Sequence, residues 1–139
     1  MAATKRAPRA PDAVLGALAA APAERLPGLR LRIEASCRLI ASEFPLLRIW
    51  QVNQPDHAGD DRVSLDEGGD RLVVRRDAQG IVLARVSAGE FGWLDALARG
   101  AALEAALRSA QRADAAFDLG AALHRYIGDG TIAAVVDVG

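Results

Sequence analysis

The apolar positions of this chain repeat with two periods, and the switches between them mark its elements. Pro11-Asp12 opens a helical pattern in which Val14, Leu15, Leu18 and Ala19 make one apolar face, with Asp12 placed to cap free backbone N–H groups. Pro22 ends that helix, and Pro27-Gly28 marks a turn. Leu29-Arg30-Leu31-Arg32-Ile33 then alternates apolar and charged side chains, the period of a half-buried strand. A further apolar run over residues 38–44 is assigned to a second strand. Pro45 suits the first turn of a short helix carrying Leu46, Leu47, Ile49 and Trp50. Residues 53–69, rich in Asn, Asp, Gly and Pro, form a loop and the best internal boundary.

The C-terminal half has the clearest pattern. Residues 71–76 and 81–86 predict two strands joined by Asp77-Ala78-Gln79-Gly80, with Gly near the end of the turn. Ser87-Ala88-Gly89-Glu90 is a capping box, in which Ser87 and Glu90 can satisfy each other's backbone donors. The helix it starts is expected to bury Phe91, Leu94, Leu97 and Ala98, and Gly100 stops it. A second helix places Leu103, Ala106, Leu107 and Ala110 on one face. A third, capped at Asp114 or Asp118, presents Leu119, Ala122, Leu123, Tyr126 and Ile127. Gly128 and Gly130 break it, and residues 132–136 predict a last strand. Hairpin, three helices and a short strand are the element set of a winged helix. The expected class is therefore α+β: a winged-helix-like domain over residues 70–139, preceded by an acidic loop over 59–69. Residues 12–58 form a helix and short strands packed on its core, and residues 1–11 a disordered basic tail.

Composition narrows the function. At 139 residues the chain can bury one core without disulfides or metals, and its Ala and Leu favour helices. A net charge of −1 supplies no field for a nucleic acid or a membrane. Asp56, Asp60, Asp61, Asp66, Glu67 and Asp70 face only Arg62 in their stretch, yet they lack the spacing of a calcium loop and predict a solvated loop. Cys37, the only cysteine, excludes an intramolecular disulfide and sits in an apolar stretch that suits a small core residue. No apolar run approaches the ~20 residues of a membrane span. Asp12 interrupts what could otherwise be the apolar region of a signal peptide, so a cytoplasmic protein is expected.

The chemistry-bearing residues are sparse. His57 and His124 belong to no metal spacing, and neither a nucleophile elbow nor a phosphate-binding loop is present. The expectation is a non-catalytic protein with no metal and no cofactor. Two binding roles stay open. A DNA-reading winged helix needs a basic third helix, whereas here that helix offers Asp118, His124 and Arg125. Arg71, Arg75, Arg76 and Arg85 give the hairpin a modest basic patch that could meet phosphates or an acidic peptide, or simply solvate the sheet. Peptide capture is the other role, with an extended peptide added to a strand edge beside a helix.

Leu26-Pro27-Gly28-Leu29-Arg30-Leu31-Arg32-Ile33, followed by Phe44-Pro45-Leu46-Leu47-Arg48-Ile49-Trp50-Gln51-Val52-Asn53-Gln54, resembles the C-terminal portion of the HvfC/BufC family of peptide-modification chaperones, a family that also carries a DNA-binding-domain label. Arg71-Leu72-Val73-Val74-Arg75-Arg76, Ala88-Gly89-Glu90-Phe91 and Leu94-Asp95-Ala96-Leu97-Ala98-Arg99-Gly100 continue it, over about residues 12–137. The resemblance implies an adaptor that binds a ribosomal precursor peptide and partners a multinuclear non-haem iron oxidase. The C-terminal half also looks like RiPP recognition elements, which hold a leader peptide between an edge strand and the last helix. That implies a groove between residues 81–86 and 119–127, with Ile81, Leu83, Arg85, Leu119, Ala122 and Arg125 as peptide-binding residues. Two departures stand out. Glu34-Ala35-Ser36 replaces a His-Pro-Ser-like turn, and the helical N-terminal domain usual in the family has no counterpart here. The alternative is a DNA-binding winged-helix regulator.

Overall fold

The computed structural model describes residues 10–136, apart from residue 61 and residues 65–67. Helix α1 (Ala10–Ala20) leads, followed by a 3-10 turn (Leu26–Gly28), strand β1 (Arg30–Ile33), strand β2 (Arg38–Ser42) and helix α2 (Leu46–Val52). Strands β3 (Asp70–Asp77) and β4 (Gly80–Arg85) form the hairpin. Helices α3 (Ala88–Ala98), α4 (Leu103–Ala113) and α5 (Leu119–Gly128) and strand β5 (Ile132–Val136) complete an α+β chain. The basic tail up to Arg9, Asp61, Asp66 and Glu67 of the acidic loop, and residues 137–139 lie outside the described residues.

The strands make two antiparallel sheets, β2-β3-β4 and β1-β5. In the first, Arg38 lies opposite Val74 and Ser42 opposite Asp70, while Leu72 lies opposite Arg85. The hairpin closes tightly at Asp77 and Gly80: the Asp77 carboxylate accepts the Gln79 N–H at 2.7 Å, and Gly80 has φ 125°, where a side chain would strain the backbone. The last strand does not extend the hairpin. It pairs with β1, Arg30 opposite Val136, with the register shifting at Arg32/Ile33. Each sheet therefore joins a strand of the N-terminal segment to strands of the C-terminal half.

One core runs through both halves, with Val14, Leu31, Cys37, Val73, Trp93, Leu94, Tyr126 and Ile132 among its members. On α3 the buried stripe is Gly89, Trp93, Leu94 and Leu97, so the expected face is turned: Trp93 is fully enclosed, Ala98 is exposed and Phe91 only half-buried. Gly89 explains the turn. A Cβ there would sit 2.9 Å from the Asp114 Cβ, so only glycine lets the first turn of α3 approach the α4–α5 loop. That approach seats Trp93 against Phe117 and Tyr126, at ring-centroid distances of 5.8 and 6.3 Å. On α1, Val14 is buried but Leu15 is 52% exposed, because only one narrow face meets β5 and α5. Asp12 lies within the first turn of α1 instead of capping it. Asp118 caps α5 by accepting the Ala121 N–H at 3.1 Å, and Asp114 ends α4.

Candidate functional site

The backbone of β4 carries the first part of the site. β4 is the outer strand of its sheet, and the Val86 N–H donates to the Arg71 carbonyl at 2.9 Å. Hydrogen-bonded pairs alternate along an antiparallel ladder, so Ala84 and Val82 continue that set. The N–H and C=O groups of Ile81, Leu83 and Arg85 therefore point away from β3, along the open edge. Their side chains share one sheet face with Leu72, Val74 and Arg76. Ile81 is 53% exposed there, and Leu83 half-buried. Helix α2 packs on the same two strands. It is tied down by Asp70, whose buried carboxylate accepts the Leu47 N–H at 2.9 Å and the Arg85 Nε–H at 2.7 Å. Arg85 is thus an internal partner of Asp70 and not a free cation. Burial pushes the Asp70 pKa up, but the bonds from Arg85 and Leu47 outweigh it and hold the carboxyl below the ordinary aspartate value.

Past Arg85 the chain enters α3, and a cleft of about 520 Å³ opens between the start of α3, the α4–α5 loop and α5. The Ser87 hydroxyl accepts the Glu90 N–H at 3.1 Å, the first half of the capping box. Glu90 does not return the bond. Its carboxylate accepts from the Tyr126 hydroxyl, and from Arg125 Nη1 at 3.0 Å, because two converging donors on α5 face it. The Arg125 guanidinium lies 5.0 Å from the centre of the Tyr126 ring. Burial first, then the bond to Glu90, pushes the Tyr126 pKa up, so the phenol stays a donor. Asp114 and Asp118 also line the cleft, so Arg125, already paired, stands among three carboxylates. The cleft therefore favours a basic or neutral side chain over an acidic one.

The six candidate residues fall into three places. Ile81, Leu83 and Arg85 share the β4 edge. Ala122, buried in the core, and Arg125 border the cleft. Leu119 instead joins Leu123 in an apolar groove of about 590 Å³ with Leu18 of α1 and Leu103 and Leu107 of α4. Glu90, Tyr126, Asp114 and Phe117 were missed as cleft residues. The Ser-x-x-Glu spacing identified Glu90 only as a capping residue, and no local pattern shows that α5 returns to meet it.

The hairpin arginines do not form one basic patch. Arg71 and Arg75 lie on one sheet face, Arg76 and Arg85 on the other. Arg75 approaches Asp129 at 4.0 Å and Arg85 pairs with Asp70, which leaves little free charge for a phosphate backbone. Among the described residues no group of three His, Cys, Asp or Glu side chains is placed to hold a metal ion. Cys37 is a buried core residue, and burial pushes its thiol pKa up, with Glu34 and Asp129 adding to the effect. No described helix is long and apolar enough to cross a membrane. Comparison with family models, curated proteins and solved structures found no match.

Proposed function

We propose that this chain is a non-catalytic adaptor of the cytoplasm that binds a ribosomal precursor peptide and presents it to a multinuclear non-haem iron oxidase. The observation that carries the peptide half of this reading is the open edge of β4, which the chain follows directly with Ser87 and Glu90, residues that line the Glu90–Arg125 cleft. Among the described residues a three-stranded meander followed by three helices leaves that edge unpaired, and an extended peptide would gain main-chain hydrogen bonds there with specificity from the cleft. The family resemblance supplies the oxidase half.

The test is a titration of labelled precursor peptides, encoded beside the gene, against the chain and its Leu83→Pro variant. Leu83 donates nothing to β3, so proline there removes an outward donor and leaves the ladder whole. The expected result is a loss of affinity of about tenfold or more with an unchanged circular dichroism spectrum. A folded Leu83→Pro protein that binds as tightly as the parent overturns strand addition at β4. Co-elution of the chain with the neighbouring oxidase on gel filtration tests the second half.

A further inference from the structure

Strand β2 is the other outer strand of the three-stranded sheet, opposite β4, and its sequence leaves it almost unguarded. Edge strands usually carry charges or proline that block a further strand, but in Arg38-Leu39-Ile40-Ala41-Ser42 only Arg38 is charged. The bonded set that joins β3 to β4 runs through Arg71 and Val73, so Leu72 and Val74 bond to β2, with Ile40 and Arg38 opposite them. The N–H and C=O groups of Leu39 and Ala41 therefore point outward, and no described residue bonds to them. That edge meets solvent: Ala41 is exposed, Ile40 is 38% exposed, and a depression of about 420 Å³ opens beside Ala41 and Ser42. Helix α3 contacts β3 as well as β2, so it lies across the Val73 face of the sheet and not along this edge. Arg38 does not shield the middle of the strand, because its Nη1 is folded back onto the Ala35 and Cys37 carbonyls at 2.8 Å.

We propose that β2 pairs antiparallel with β2 of a second copy of this chain, about a two-fold axis at Ile40, so that the two sheets become one. This register overlaps the whole strand. Leu39 exchanges both main-chain bonds with Ala41 of the second copy, and Ala41 with its Leu39. Ile40 faces Ile40, and Arg38 faces Ser42. A two-fold interface requires a surface complementary to itself, and every facing pair here meets that requirement. Each exposed isoleucine covers the other, the small Ala41 accommodates Leu39, and no charge faces a like charge. Strand β4 is not self-complementary in this way. Centred on Leu83, a self-pair would set the exposed Ile81 against Arg85, whose guanidinium Asp70 already holds. A foreign peptide would gain the same main-chain bonds at β2, but Leu39–Ser42 offers no charged side chain to select it, whereas a second copy matches it residue for residue. The β4 edges stay at the two ends of the joined sheet, so this pairing does not depend on the β4 site.

Sedimentation equilibrium of the full chain over a concentration series is expected to show a monomer–dimer equilibrium. Ile40→Lys sets two ammonium groups face to face and should weaken the dimer about tenfold or more, with an unchanged circular dichroism spectrum because Ile40 is exposed. Ala41→Pro removes an outward N–H that β3 does not use and should weaken the dimer as well. If that variant does not fold, Ile40→Lys decides alone. Leu83→Pro, at the opposite edge, should leave the dimer as it is. The register is read from Ile40→Cys. Facing residues of a non-hydrogen-bonded pair lie about 4.5 Å apart at Cα, within reach of a disulfide. Mild oxidation should therefore link Ile40→Cys chains in pairs and leave Ile81→Cys chains unlinked; the native Cys37 is buried and does not compete. The proposal is overturned by a chain that stays monomeric up to about 1 mM, or by a dimer that Ile40→Lys leaves at full strength. Loss of the dimer in Leu83→Pro, or equal cross-linking of the two cysteine variants, would also overturn it and move the contact to β4 or to another face.

Discussion

Asp70 shows what one buried charge does for this molecule. Its carboxylate holds the first turn of α2 and the Arg85 side chain at once, and its pKa lies below the ordinary value. A depressed carboxylate stabilises the fold above the unfolded pKa of ~3.9, and that contribution fades as pH falls through the folded value. Asp70→Ala is therefore expected to lose about 1–3 kcal/mol at pH 7, since two donors lose their acceptor. The gap between variant and parent should narrow as pH drops below about 4. Urea melts at neutral and acidic pH measure both effects, and an unchanged gap would remove Asp70 from the account. In the core, Leu94→Ala is expected to lose ~2–5 kcal/mol, because its side chain is fully enclosed. Leu123→Ala should lose less, since Leu123 is half-buried beside an open apolar groove.

Elements are held by their ends and edges. Ser87→Ala removes the side-chain acceptor at the start of α3 and is expected to lose ~0.5–2 kcal/mol. The effect should be local, because the Glu90 carboxylate is held by α5 and not by the cap. Strand β4 offers a sharper contrast between adjacent residues. The Val82 N–H belongs to the ladder with β3, whereas the Leu83 N–H faces outward. Val82→Pro should break the hairpin, and Leu83→Pro should leave it standing. Circular dichroism and thermal melts of the two variants decide it; equal damage from both would mean that the assigned alternation is wrong.

At the scale of the whole molecule, the C-terminal half shares its core and both of its sheets with the N-terminal segment. β2 completes the sheet that carries the hairpin, and β1 supplies the only strand partner of β5 among the described residues. Val14, Leu31 and Cys37 fill the core around Trp93 and Ile132. A fragment of residues 70–139 would expose that core and leave both sheets incomplete. It is expected to show no cooperative thermal transition in near-ultraviolet circular dichroism, where the full chain shows one. A sharp transition in the fragment would mean that residues 12–58 are an accessory layer.

The local signals were enough for the elements. Alternation marked β1, the Gly80 turn marked the hairpin, and Ser87, Gly100 and Asp118 marked helix ends, because periods and caps act within a few residues. The buried face of α3 was half legible: Leu94 and Leu97 follow from spacing, but Trp93 becomes central only because Gly89 brings the α4–α5 loop close. The candidate site depended more heavily on tertiary structure. Sequence named Ile81, Leu83 and Arg85 as one strand, but only the pairing order made that strand an outer edge. Arg125 reaches Glu90 across 35 positions and Arg85 reaches Asp70 across 15, and no local period encodes such partners. Leu119 and Arg125 share one helix yet serve different cavities, since helix faces acquire meaning only from what packs against them. β5 joined β1 and not the hairpin for the same reason: alternation identifies a strand, while the neighbouring edge it meets decides its partner.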